Sequence, residues 1–409
     1  MKKILIVDYI VGGGFVEEDL PLVRLAESYS ILRSTIEQFA QLGFEIATLI
    51  DHRLMQHIRI SPIHEFKTVS SYEDFINGIK TFTDLCDYTI TSAPETKGIL
   101  KDLSCLISNS NSTYLGSKPD SIEFAADKLQ TMKLARELNM SVPATFSPNF
   151  NDSFDKIVDE VSPLGFPLIV KPIDGVGCQG LTKVNSIKEL RYGLRAANAV
   201  SGMDNCIVQE FIKGIPISTS LFANSETVVP ISINHQNLKI ESKHNTGDYL
   251  GGSVPLNLGA QNEKVLNMSK ELISHLDLKG FVGVDFVVTK EEIFVIEVNP
   301  RITVPFVALS SLATENLAEK LLAVVEGKPI TPVKLNGYAY FSKLIVESIK
   351  NKLSKFELVS TIDGVLTPLL PVNNNSHTYV FLMGLGKTAE AARKDFQKIK
   401  SQVLAKLSS

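Results

Sequence analysis

Two apolar runs within Gly280–Arg301, GFVGVDFVVTKEEIFVIEVNPR, carry Asp285, Glu297, Asn299 and Arg301. They read as one β-hairpin, and charged groups on such strands need a partner. Side chains two apart share a strand face, so Glu297 and Asn299 point the same way, beside Val295 and Ile293. Asp285 joins them if it lies opposite Glu297, a register that an odd-length connection around Thr289–Glu292 gives and a four-residue one does not. Two carboxylates about 4 Å apart repel by about 4 kcal/mol at an effective dielectric of about 20, so in an apolar sheet they stay ionised only around a cation. Oxygen-only donors suit magnesium or manganese. A hard octahedral ion with few protein ligands usually takes others from substrate phosphates, which makes Asp285, Glu297 and Asn299 candidate ligands of a metal–nucleotide site. A lone Glu on a strand is more often a solvated surface acid, and it is the grouping that argues otherwise.

Other residues extend the constellation. Leu168–Pro172, LIVKP, is a short β-type run whose Lys171 must reach an anion or snorkel. Asp174–Gly180, DGVGCQG, follows it, and its glycines permit a tight loop to approach phosphate oxygens. Taken alone, such a loop is more often a plain turn, and it lacks the GxGxxG dinucleotide fingerprint. Upstream, Ala125–Gln130, AADKLQ, places Lys128 before an amphipathic helix, where by itself it reads as a solvated residue. Downstream, Ile207–Gly214, IVQEFIKG, is an apolar strand ending in an acid and a turn. Gly384–Thr388, GLGKT, imitates the end of a phosphate loop, but Phe381 stands where that motif needs glycine, so a turn and helix start is favoured. Cys86, Cys105, Cys178 and Cys206 have no CxxC spacing or nearby His, and reduced thiols are the default. Cys178 has no base placed to make it a nucleophile. The seven histidines supply no triad.

The elements that must position these groups alternate at first between strand and helix. Lys3–Val7 is a buried strand followed by Gly12, Gly13 and Gly14; Ser28–Leu42 has a helical apolar period; Glu45–Ile50, Tyr88–Thr91 and Cys105–Ile107 are further short apolar runs. An open parallel sheet follows from this alternation. Because ligands favour the carboxyl ends of such strands, Gly12–Gly14 is a candidate substrate loop, with a structural turn as the equal alternative. A helix, the strand of Lys171 and a helical stretch at Ile187–Ala199 come next, then antiparallel strands over 206–240. His244–Pro255, HNTGDYLGGSVP, is polar and glycine-rich and reads as a mobile loop able to cover the site. Strands near Gly337–Ile345 and Thr378–Met383 and a charged helix over Ala389–Leu407 close the chain.

At 409 residues the chain calls for two or three domains. Its net charge of −4 and pI near 6.0 argue against nucleic acid as the main partner. No apolar stretch approaches the roughly 18 residues of a membrane span, and MKKILIVDYI runs straight into a strand pattern rather than a cleavable signal, so a cytoplasmic location is expected.

The order of these pieces, from Asp127-Lys128 through LIVKP, DGVGCQG and IVQEFIKG to the distal Asp and ExNPR, resembles the ATP-grasp catalytic module. The resemblance implies an α/β and α+β architecture: a Rossmann-like N-terminal domain (1–117), a small lid subdomain (118–205), a larger catalytic subdomain (206–330) and a C-terminal subdomain (331–409), with ATP gripped between lid and catalytic parts. It further implies phosphate contacts from Lys128 and Lys171, Lys171 toward the α-phosphate, and a lid loop at Asp174–Gly180 including Gly175 and Gly177. Adenine would meet Gln209, Glu210, Phe211 and Ile212, and Mg2+ or Mn2+ would bind Asp285, Glu297 and Asn299, with Glu297 bridging. Arg301 would stand near the transferred phosphoryl group. The implied reaction is activation of a carboxylate to an acyl phosphate followed by attack of an amine, with no protein nucleophile. Within the family, DYIVGGGF and the following segment, with Glu27, Gly43, Asp51 and Arg53, are similar to tyramine–glutamate ligases and their relatives in cofactor biosynthesis. An ATP-dependent carboxylase of the biotin or aminoimidazole type shares the grip and is the alternative enzyme class; a non-catalytic ATP-binding regulator would be favoured only without the metal ligands. The implied partners are a small-molecule acid and amine, and a homodimer is among the assemblies the resemblance allows.

Overall fold

The computed structural model describes residues 1–240, 247–347, 358–370 and 377–408. The chain opens with β1 (Lys3–Asp8), α1 (Leu22–Gln41), β2 (Glu45–Asp51), β3 (Glu65–Val69), α2 (Tyr72–Leu85), β4 (Tyr88–Ser92), α3 (Ile99–Ser108) and β5 (Thr113–Tyr114). These strands form one parallel sheet in the order β3-β2-β1-β4-β5. The order reverses beside β1, so the crevice between the carboxyl ends of β1 and β4 is the natural ligand position. The expected strand at Cys105–Ile107 is instead part of α3: Leu100, Leu103, Ser104 and Ile107 are the buried residues, a helical spacing that a three-residue window conceals. Most of β3 is exposed or half-buried, so it offers no apolar run to read.

Helices α4 (Pro119–Ala126) and α5 (Lys128–Glu137) meet at Asp127, whose carboxylate accepts the Leu129 and Gln130 amides and caps α5. A four-stranded antiparallel lid sheet follows, with order β6-β9-β7-β8, from β6 (Thr145–Phe146), β7 (Leu168–Pro172), β8 (Thr182–Val184) and β9 (Cys206–Glu210). Helices α6 (Phe154–Val161) and α7 (Ile187–Asn198) cover it and share its core.

The largest layer is a seven-stranded sheet, β14-β13-β10-β11-β12-β15-β16, antiparallel throughout. Its members are β10 (Ile215–Ala223), β11 (Val228–Lys239), β12 (Asp248–Val254), β13 (Gly280–Val288), β14 (Ile293–Asn299), β15 (Tyr338–Glu347) and β16 (His377–Gly386). Helices α8 (Asn262–His275), α9 (Pro305–Leu312), α10 (Leu317–Val325) and α11 (Ala389–Ser408) pack around it. The sheets divide the chain differently from the expected boundaries. β9 belongs to the lid, α4 and α5 pack with α8 on the large sheet, and β15 and β16 extend that sheet rather than forming a separate body.

The glycine-rich segment expected as a mobile loop is, where described, mostly the interior strand β12; its first residues, 244–246, lie outside the described residues. Its glycines serve close packing: a Cβ on Gly251 would sit 2.1 Å from the Phe341 carbonyl oxygen, and one on Gly252 2.1 Å from that of His235. GLGKT is likewise structural, because a Cβ on Gly384 would lie 2.2 Å from the Phe396 amide nitrogen of α11.

Candidate active site

Asp285 does stand opposite Glu297, but by a different route from the one expected. The connection between β13 and β14 is the four residues 289–292, and the ladder from Val288↔Ile293 to Phe286↔Val295 would leave Asp285 facing Ile296. A bulge at Ile296 supplies the missing residue and brings Glu297 into register, then Asn299 opposite Gly283. It also changes which side chains share a face. Ile293 and Val295 lie in the core against α8, whereas Ile296, Glu297 and Asn299 line a cavity together with Asp285 and Gly283. Glu297 therefore does not sit beside Val295 and Ile293. Without the extra residue, the period of two would have turned Glu297 into the apolar core.

Around the carboxylates, the lid and the large sheet converge. Lys128, buried at the first turn of α5, places Nζ 3.2 Å from Glu297 Oε2 and donates to the Ile173 and Gly175 carbonyls at 3.2 and 2.6 Å. Lys171 is fully inside β7, and burial pulls its ammonium down to about 8 against the opposing charge of Glu297. Burial, then the charge of Glu297, pushes the Asp285 carboxyl up to about 8, while hydrogen bonds from Gln236 and Asn299 oppose the shift. For Glu297, burial favours protonation, but Lys128 and Lys171 outweigh it and hold its pKa below the usual range. Among the described residues no group of three or more His, Cys, Asp or Glu side chains is placed to bind a metal; the donors here are two carboxylates and one amide.

The loop after β7 has a divided role. Gly175, Gly177 and Cys178 line the cavity, and Gly177, Cys178 and Gly180 have φ of 58°, 64° and 67°, the left-handed conformation that glycine adopts freely. Asp174 faces elsewhere. Its carboxylate accepts the Lys97 amide at 2.9 Å, the Gly202 amide at 3.1 Å and the Ser201 hydroxyl at 3.1 Å, so it pins the loop to the N-terminal domain. Burial pushes the Cys178 thiol up to about 12, which leaves no thiolate for nucleophilic work.

The structure does not bring Gly12–Gly14 to this cavity. Their neighbours are Asp8, Phe75, Leu49, Val69 and Tyr9, and a Cβ on Gly14 would meet the Tyr9 ring at 2.4 Å, so these glycines serve a packed turn. Gln209, Glu210, Phe211 and Ile212 lie at the end of β9 in the lid sheet. Glu210 accepts the Ala144 amide, and the buried Gln209 Oε1 has no hydrogen-bond partner.

Residues 125–305 match the ATP-grasp domain family, and residues 44–122 match the pre ATP-grasp 3 domain. The chain belongs to the ATP-grasp ligases. A tyramine–L-glutamate ligase of Methanocaldococcus fervens is 26% identical to this ATP-grasp ligase over 80% of the chain and 99% of the relative. Among solved structures, an ATP-grasp superfamily protein from Archaeoglobus fulgidus superposes with a TM-score of 0.59 at 20% identity, covering 93% of this chain and 99% of its own. The biotin carboxylase of Campylobacter jejuni, solved as a β,γ-ATP complex, superposes with a TM-score of 0.73 at 13% identity over 99% of this chain and 95% of its own, a likeness of fold.

Two further charged groups of the ligase reach the cavity or its arginine, and a third, Lys343, pairs with one of them. Glu95, after β4, binds Arg301 Nε through both carboxylate oxygens at 3.0 Å. Glu27 of α1 lines the cavity and forms an ion pair with the buried Lys343 side chain of β15 at 2.9 Å. Lys343 also donates to Asp248 of β12 at 3.0 Å. Glu95 and Lys343 carry no motif that sequence reading could seize on; only the folding of remote segments onto the cavity marks them.

Proposed function

We propose that the protein joins a small-molecule carboxylic acid to an amine, using ATP to convert the acid to an acyl phosphate. The observation that carries this reading is the pairing of Asp285 with Glu297 across the bulged hairpin, inside a cavity that Lys128 and Lys171 enter from the lid side. The donor set fits a hard divalent cation. Two half-buried carboxylates face each other, one pushed toward its protonated form by desolvation and by its neighbour's charge, and oxygen donors are the choice of Mg2+ or Mn2+. Asp285, Glu297 and Asn299 would hold it, and the ion would neutralise charge on the phosphates.

The remaining chemistry falls to this chain's own residues. Lys128 and Lys171 offer ammonium groups to phosphate oxygens, Gly175 and Gly177 let the loop backbone approach them, and Gln209, Glu210, Phe211 and Ile212 would border the base. Arg301, oriented by Glu95 through its Nε, would present the outer edge of its guanidinium to the acyl phosphate. A carboxylate oxygen of the acid attacks the γ-phosphorus and ADP departs. The amine nitrogen then attacks the acyl carbon, an amide forms, a proton is released, and phosphate leaves with one oxygen that came from the acid. The tyramine–L-glutamate ligase relative supports an acid such as glutamate and an amine such as tyramine.

The test is ADP release against amino acids crossed with amines, with mass detection of the product. With acid labelled by 18O in its carboxyl group, label is expected in inorganic phosphate and in neither ADP nor AMP. Label in AMP would mean an adenylate and would overturn the acyl phosphate. ADP release that depends on bicarbonate instead would favour a carboxylase.

A further inference from the structure

Beside the cavity, on the far side of Arg301, lies a crevice at the carboxyl ends of β1 and β4. Ile10, Ser92 and Pro94 form one wall, Arg24 and Glu27 of α1 another, and Glu27, Gly177, Arg301 and Val304 border both compartments. Arg24 is the anomaly there. Its Nε is buried without a hydrogen-bond partner, and among the described residues its guanidinium makes no ion pair; its recorded contact is with the Phe15 ring, at 5.6 Å. Every charged group that faces it is committed elsewhere. Asp8 accepts the Ile10 and Val11 amides at 2.9 Å, Glu27 pairs with Lys343 at 2.9 Å, and Arg301 adds a second positive charge and is itself held by Glu95. A half-buried cation with its Nε closed off from solvent, beside another cation and with its neighbouring acids engaged by other partners, is a group prepared for an anion that the protein does not supply.

Resting on the ligase reading above, we propose that Arg24 anchors a second anionic group of the acid substrate, so that this crevice selects a dicarboxylic acid over a monocarboxylic one. The carboxylate to be activated would lie beside Arg301 and the Asp285–Glu297 pair, and the other would take the guanidinium fork of Arg24. The crevice adjoins the phosphate cavity, with Glu27, Gly177, Arg301 and Val304 bordering both, so the two carboxylates of one small acid would lie on either side of these residues. A site built to pair a buried charge rejects the analogue that lacks the partner, because the charge is then left unsatisfied.

The test compares glutamate with 4-aminobutyrate and glutarate with butyrate, acids that differ by the second carboxylate, in the full chain and in Arg24→Gln and Arg24→Lys. For the unaltered protein, kcat/KM is expected to favour each dicarboxylic acid by about tenfold or more, the scale of a charge-assisted hydrogen bond. Arg24→Gln should collapse that preference through KM, with Arg24→Lys intermediate. Because the variant removes a half-buried charge that has no ion pair among the described residues, it should fold, with a melting temperature close to that of the parent. Calorimetric binding of glutamate and glutarate to the protein loaded with ADP and magnesium gives a readout independent of turnover, and Arg24→Gln should weaken it by about tenfold. A preference that survives Arg24→Gln, or equal losses for both kinds of acid, as expected if Arg24 met the transferred phosphoryl group, would overturn the proposal. Absence of ADP release with every acid would instead overturn the ligase reading, and the binding comparison would still judge Arg24.

Discussion

Glu297 carries more of the cavity's electrostatics than any of its neighbours: it faces Asp285 across the ladder, holds Lys128 at 3.2 Å and opposes the effect of burial on Lys171. Glu297→Gln keeps the shape and removes the charge. ATP turnover should then fall by about 100-fold or more, the scale of losing one preorganised electrostatic contact. The fold should persist, because Asp285, freed from its neighbour's charge, can ionise and keep the two lysines partnered. ADP release together with thermal melting checks both parts. Near-normal ADP production in that variant would remove Glu297 from the assigned role.

Two elements shape the site, the bulged hairpin and the loop from Asp174 to Gly180. The bulge at Ile296 reconciles a four-residue connection with a carboxylate pair, and it lets one strand serve the core through Val295 and the cavity through Glu297. The loop is anchored at its start and open in its middle: Asp174 is tied to Lys97, Ser201 and Gly202, whereas a Cβ on Gly177 would meet nothing within 4 Å. Hydrogen exchange over 175–180 should therefore slow on addition of ATP and magnesium. Unchanged exchange at saturation would make the segment an ordinary turn. Asp174→Ala removes the acceptor of three half-buried hydrogen bonds, so it should cost about 2 kcal/mol and speed exchange across the loop. An unaffected exchange pattern in Asp174→Ala would show that other contacts hold it.

Across the whole molecule, one hydrophobic core joins the parallel sheet to the large antiparallel one. Ile36 and Phe39 of α1 share it with Phe306, Leu321, Phe341 and Phe381, and Gln38 binds the Leu317 amide and the Asn316 side chain across the junction. Glu95–Arg301 and Glu27–Lys343 add ion pairs between the same bodies. The lid has a core of its own around Leu168, Val170 and Leu190, which allows it to shift while the shared core stays packed. The N-terminal domain and the large sheet should thus unfold in one calorimetric transition. A separate transition assigned to residues 1–117 would contradict the shared core.

Sequence alone determined the candidate residues of the hairpin and the lid strand, because charge on an apolar strand is conspicuous against its surroundings. It also determined that Asp285 should face Glu297, since two such acids make sense only together. It could not tell how that register is reached, because one extra residue in a strand looks the same in the sequence whether it lies in the turn or in a bulge. Glycine's freedom suggests a mobile loop at Gly251 and Gly252, and either a ligand loop or a structural turn at Gly12–Gly14; in both places the glycines answer to backbones and rings packed too closely for a Cβ. The short run at Cys105–Ile107 was ambiguous for want of length, and the helix was settled by the burial of Leu100 and Leu103 beside it. Tertiary structure alone decided the rest of the site. Glu95, Lys343 and Arg24 come from segments remote in sequence, and their roles arise from burial and from which partners are already taken, quantities that exist only once the chain has folded.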